Sequence, residues 1–174
     1  MILGIRADRQ VGLGRFVVYF AIAALLPLTV GTADAGEKLT IGAVEDVILL
    51  PWKVTLPARI DTGATRSSLD ARDLTVRDNE VVFTLPDAYG GLELRLPIIE
   101  WRVVRSAVGK ERRPVVEIEL CLGPKRFRTQ VNLSDRSRVQ YPFLVGRLAL
   151  QGRFLVDVSQ SKVFPPSCPE ASSQ

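Results

Sequence analysis

From residue 39 to residue 158 the chain is a succession of short apolar runs, each cut off by proline, glycine or a polar turn. Segments 39–44 and 46–50 are rich in branched residues and end at Pro51, and 54–60 follows after three residues. Residues 80–85 stop at Pro86-Asp87, and 92–96 alternates leucine with charge, the period of a half-exposed strand. Residues 98–105 and 114–122 flank a polar stretch containing Gly109, which predicts a long hairpin. After Gly123-Pro124, 126–133 predicts its neighbour. Residues 69–74 fit a turn or a short helical piece. Residues 141–146 predict a strand ending at Gly146, followed by a helix-compatible turn or two and a last strand at 154–158. Runs of this length cannot build a helical core, so the chain predicts an all-β domain, closed or sandwich-like, with one short late helix. Glu117 and Glu119 share one face of their strand, and Arg126 and Arg128 share one face of the next. The two pairs are placed to meet across the turn.

The first 35 residues have a different character. Arg6, Arg9 and Arg15 precede an uncharged apolar run at 16–30, and Ala33-Asp34-Ala35 offers small residues at a cleavage site. That order is a secretory signal peptide, 1–35, removed after Ala35. The run is short for a membrane span and carries Pro27, although an uncleaved anchor is the alternative. The expected mature protein is a periplasmic or secreted domain over 36–160 with a flexible tail at 161–174. In such a compartment Cys121 and Cys168 could pair. The formal net charge is +4, and the basic runs at 110–113, 125–128 and 136–138 lie beside turns. They read as solvated charge, and no nucleic-acid partner is expected.

The sequence contains no histidine. This removes Ser-His-Asp and Cys-His catalysis in their usual forms and the histidine-based zinc sites. Two distant cysteines do not make a zinc site, and neither nucleotide-binding glycine motif is present. No metal and no cofactor is expected. What stands out is Asp61-Thr62-Gly63-Ala64-Thr65, a carboxylate delivered by a strand into a run of small residues. Gly63 allows close approach to the backbone, and the Thr62 hydroxyl and turn amides can hold the carboxylate.

The larger order resembles the retropepsin-like aspartic proteases: Asp-Thr-Gly-Ala, a hairpin flap, two apolar residues before Gly146-Arg147, and a late helix. Segments 59–65, 132–138 and 141–147 look like a bacterial branch whose members are labelled ATP-dependent zinc proteases and linked by name to RimK-type ligases. The missing histidine and P-loop fit that label poorly; the aspartic-protease reading fits the residues.

The resemblance implies a small closed β-barrel of the single-lobe acid-protease type. Aspartic proteases use two carboxylates sharing a proton, and this chain carries the motif once, so the resemblance implies a homodimer with one Asp61 from each subunit. Thr62 would bond across the dimer axis, Gly63 would present backbone to a peptide substrate, and Ala64, lacking a hydroxyl, would favour activity nearer neutral pH than Ser or Thr there. Thr65, Val108, Gly109, Val145 and Leu148 fall at substrate-binding positions. In viral members the arginine corresponding to Arg147 pairs with an acidic residue just after the motif. Thr65 occupies that place here, so another partner is expected, Asp70 being the candidate. The alternative to an endopeptidase is a non-catalytic peptide-binding or regulatory module on the same fold.

Overall fold

A computed structural model describes residues 37–106 and 109–169 of the 174-residue chain. The expected leader, Val108 at the hairpin tip and residues 170–174 lie outside the described residues. The strands, in chain order, are β1 (Leu39–Ile41), β2 (Val44–Leu50), β3 (Val54–Ile60), β4 (Ser67–Asp70), β5 (Arg72–Arg77), β6 (Glu80–Thr84), β7 (Glu93–Pro97) and β8 (Glu100–Ser106). They continue with β9 (Gly109–Leu122), β10 (Lys125–Ser134), β11 (Phe143–Val145) and, after the α-helix α1 (Arg147–Leu150), the one α-helix among the described residues, β12 (Phe154–Val156). Among the described residues no helix is long and apolar enough to cross a membrane.

Six strands close a ring, β10-β4-β11-β3-β2-β9, with β9 pairing back to β10. This is the expected all-β barrel. Alternation drives it: β3 turns Leu56, Ala58 and Ile60 inward and Thr55 and Arg59 outward, and β6 buries Val81 and Phe83. Each of the larger side chains so buried contributes about 1.5–3 kcal/mol. The parallel pairing of β11 with β3, Val145 opposite Ile60, places the Gly146 end of one strand beside the Asp61 end of the other.

β9 is long enough to serve two structures. Its second half pairs with β2 and β10 inside the ring, while Gly109–Val115 pairs with β8 in the hairpin that overhangs it. Directly opposed residues share a face. Arg102 opposes Arg113 and Trp101 opposes Pro114, so the hairpin has an arginine face and a tryptophan face. The predicted charge pairs form: Arg126 meets Glu119 at 2.9 Å and Arg128 meets Glu117 at 3.4 Å.

Residues 69–74 are not helical. Ser67–Asp70 is a strand held between β10 and β11, and Arg72–Arg77 starts a separate three-stranded sheet, β5-β6-β7. β4 looks polar in the sequence, yet all four of its residues are buried. Its hydroxyls and carboxylate stay there because each has a partner. Ser67 Oγ accepts from the Gly146 amide, Ser68 donates to Asn132, and Asp70 accepts from Arg72 Nε and Nη2 and from the Arg136 amide.

Residues 161–169, placed by the sequence reading in a flexible tail, are fastened at several points. Glu45, 1% exposed, accepts the amides of Gly42, Val163 and Phe164. Phe164 packs at Gly123, and Cys168 is disulfide-bonded to Cys121.

Candidate active site

Asp61 stands one residue beyond β3, its amide bonded to the Val145 carbonyl at 3.0 Å. Its Oδ1 accepts the Gly63 amide at 2.9 Å and the Ala64 amide at 3.2 Å. A Cβ on Gly63 would sit 3.1 Å from that oxygen, a tight contact that glycine avoids. Thr62, Gly63 and Thr65 are exposed and Ala64 half-buried.

Gly146 is required by contact rather than by φ. A Cβ there would overlap the backbone of Arg66. The chain can therefore pass from β11 into α1 directly against the motif loop, where the Arg147 amide donates to the Ala64 carbonyl (2.9 Å) and the Leu148 amide to the Thr65 carbonyl (3.0 Å). The Arg147 guanidinium finds a partner other than Asp70. It donates to the carbonyls of Thr62 (2.9 Å) and Gly63 (2.8 Å) and to the Thr65 hydroxyl (3.0 Å). Asp70 is committed elsewhere, to Arg72 and the Arg136 amide.

Two expected pocket residues separate here. Val145 is fully buried in the core, because the β11 alternation points it inward, whereas Leu148 is 41% exposed beside the motif. The half-buried side chain of β11 is Leu144. It lines a cavity of about 410 Å³ with Ala64 and Thr65. Gly109 opens β9 opposite Ser106, at the end of the hairpin.

Four arginines missed at the sequence level line the same cavity: Arg66, Arg102, Arg113 and Arg136. Glu100, outside the lining, braces the first two at 2.8 and 3.0 Å, and the Arg102 hydrogen bond, aided by both positive charges, holds its carboxyl below the usual value. Arg113 reaches Glu111 and Asn132. Burial lowers the pKa of Arg136, while the charges of Asp70 and Asp61 oppose that shift. Its Nε donates to the Tyr141 carbonyl. The guanidinium is thus fixed within electrostatic reach of Asp61. The signal for it was the Asn132–Arg138 segment, whose residues converge only once β10 and β4 pair.

A closed β-barrel with one Asp-Thr-Gly loop, a parallel strand ending in glycine and an overhanging hairpin defines the single-lobe acid-protease class. A family model described as RimB-like, "Retropepsin-like aspartic endopeptidase RimB", matches residues 40–167. The chain belongs to this RimB-like family of retropepsin-like aspartic endopeptidases. It is 34% identical over 133 residues to a probable alpha-L-glutamate ligase of Parasynechococcus marenigrum, covering 70% of this chain and 28% of that one. A protein of the same name from Desulfotalea psychrophila is 30% identical over 111 residues, covering 59% of this chain. The chain spans only 28% and 24% of those relatives' lengths. The crystal structure of a Legionella pneumophila protein of unknown function superposes with a TM-score of 0.63 at 30% identity, covering 73% of this chain and 98% of that one.

Proposed function

We propose that the chain is an exported, homodimeric aspartic endopeptidase whose catalytic dyad is one Asp61 from each subunit, and that it cleaves acidic peptides. The observation that carries the reading is the Asp61 loop, a solvent-reachable carboxylate held by two amides on an acid-protease barrel with a single copy of the motif. In the dyad, the ionised carboxylate takes a proton from water as the water oxygen attacks the scissile carbonyl carbon. The protonated carboxyl gives its proton to the carbonyl oxygen. Collapse of the tetrahedral diol breaks the C–N bond: a diol hydroxyl gives its proton to the now ionised carboxylate, the leaving nitrogen takes the proton of the other carboxyl, and the dyad again holds one proton. The preference for acidic peptides is supported by the arginine-lined cavity, and most by Arg136, since Arg66, Arg102 and Arg113 already meet Glu100 and Glu111. The name of the longer relatives speaks of glutamate, a side chain of that kind.

The mature protein is tested with peptide libraries beside Asp61→Asn, and by sedimentation. Dimeric wild type should cleave on the acidic side of the library, and Asp61→Asn should be inactive. Cleavage surviving in Asp61→Asn, or cleavage by a strict monomer, refutes the dyad. A dimer that cleaves nothing at any pH supports the non-catalytic binding module instead. Within an active enzyme, Arg136→Gln should raise KM for acidic peptides about tenfold and leave neutral ones unchanged, as expected for one charge-assisted contact.

A further inference from the structure

We infer that Arg147 is the positioning residue of the Asp61 carboxylate, acting through the loop between them. Four successive carbonyls, those of Thr62, Gly63, Ala64 and Thr65, are all captured from one side. Arg147 takes the first two with its guanidinium and the third with its own amide, and the Leu148 amide takes the fourth. A peptide group is planar, so fixing its C=O fixes the N–H that follows on the opposite side. Holding the Thr62 carbonyl orients the Gly63 amide, and holding the Gly63 carbonyl orients the Ala64 amide. Those two amides are the donors to Asp61 Oδ1. The guanidinium and the carboxylate therefore grip the same two peptide planes from opposite ends.

Position 65 explains why the fork is available. A carboxylate there would draw the guanidinium into an ion pair; Thr65 offers only a hydroxyl, which accepts from the second terminal nitrogen at 3.0 Å and leaves the first for the two carbonyls. A lysine could not do the same. Its ammonium is a single point of charge, whereas three acceptors spread over a loop need a planar fork.

The kinetic part of this inference rests on the endopeptidase reading, but its structural part does not. The test compares wild type, Arg147→Lys and Arg147→Gln in the dimer by kcat, KM and the hydrogen-exchange rates of the Gly63 and Ala64 amides. The expected result is a kcat loss of about 100-fold in Arg147→Gln, the scale of a misplaced catalytic group, with KM within twofold. The loss should be smaller in Arg147→Lys, with faster exchange at both amides in both variants. A rise in KM alone, or exchange rates that do not change, overturns the inference. If Arg147→Gln does not fold, Arg147→Lys decides: wild-type kcat and exchange refute the need for the fork, and a kcat loss at constant KM supports it. If wild type cleaves nothing, the endopeptidase reading fails, and the exchange rates still decide the positioning role.

Discussion

Gly146→Ala tests the link between the barrel and the Asp61 loop. The added methyl group meets the carbonyl carbon, oxygen and Cα of Arg66. These are backbone atoms at the mouth of β4, and they cannot swing aside as a long side chain would. Relief requires the β11–α1 junction to withdraw, and three hydrogen bonds from backbone amides span that gap. They are Gly146 N–H to Ser67 Oγ (3.2 Å), Arg147 N–H to the Ala64 carbonyl (2.9 Å) and Leu148 N–H to the Thr65 carbonyl (3.0 Å). At about 1 kcal/mol each, their loss destabilises the fold by roughly 3 kcal/mol, which lowers Tm by about 10 °C in a domain of this size. Urea denaturation followed by circular dichroism measures the first quantity and a thermal scan the second. Because two of the three bonds end on the motif loop, cleavage should fall more than the folded fraction does. A variant within about 0.5 kcal/mol of wild type, with unchanged cleavage, would show that the junction does not brace the loop.

Other substitutions separate packing from recognition. Val145→Ala, in the core, should cost about 2 kcal/mol in urea titrations and leave cleavage preference unaltered. Leu144→Ala should cost less than about 1 kcal/mol and change the residues accepted in a peptide library; the reverse pattern would put the pocket on the wrong side of β11. Glu45→Ala leaves the Gly42, Val163 and Phe164 amides without their acceptor. It should destabilise by about 3 kcal/mol, and limited proteolysis should then cut first in 161–169; equal resistance to wild type refutes the anchor. The Glu119 carboxyl is held below its usual value chiefly by the hydrogen bond from Arg126. A carboxyl depressed in the folded state stabilises above its unfolded pKa, and that contribution disappears as pH falls through the folded one. The stability gap between wild type and Glu119→Gln, under about 1 kcal/mol for so exposed a pair, should therefore close below about pH 4.5. A gap that widened in acid would contradict the sign.

What could be read from the sequence was whatever local order decides. The apolar run of β3 ends where the strand ends, at Ile60, because Asp61 and Thr62 supply no further inward side chain. The long hairpin and the Glu–Arg pairs follow from alternation and turns alone. β4 was missed because its buried residues, Leu69 apart, are serines and an aspartate, acceptable in a core only with Asn132, Ser134 and Arg72 as partners. β5 was missed as well, although the turn that follows it left a signal. Asp78 and Asn79 both take positive φ, 49° and 64°, as a two-residue hairpin turn demands, and Asp-Asn before Glu80 is a signal for it. Asp61 was legible because the chain has no histidine. The arginine cavity was not, since its members come from four separate stretches and mean nothing until the ring closes. Arg147 was noticed, but two of its three acceptors are carbonyls, which every residue possesses and no sequence marks.

The shared strand β9 has a consequence for how this chain can change over time. Along a strand, side is a matter of odd or even. Arg102 and Arg113 line the motif cavity, and Trp101, Arg112 and Pro114 line a second cavity of about 660 Å³, with Val103 and Glu111 crossing this division at the edges. A substitution alters one side chain, but inserting or deleting a single residue between Gly109 and Pro114 shifts the count and exchanges the two sides of β9 at once. The barrel half of the strand, locked by β2 and β10, cannot slide to compensate. Length changes along this part of β9 should therefore survive in twos.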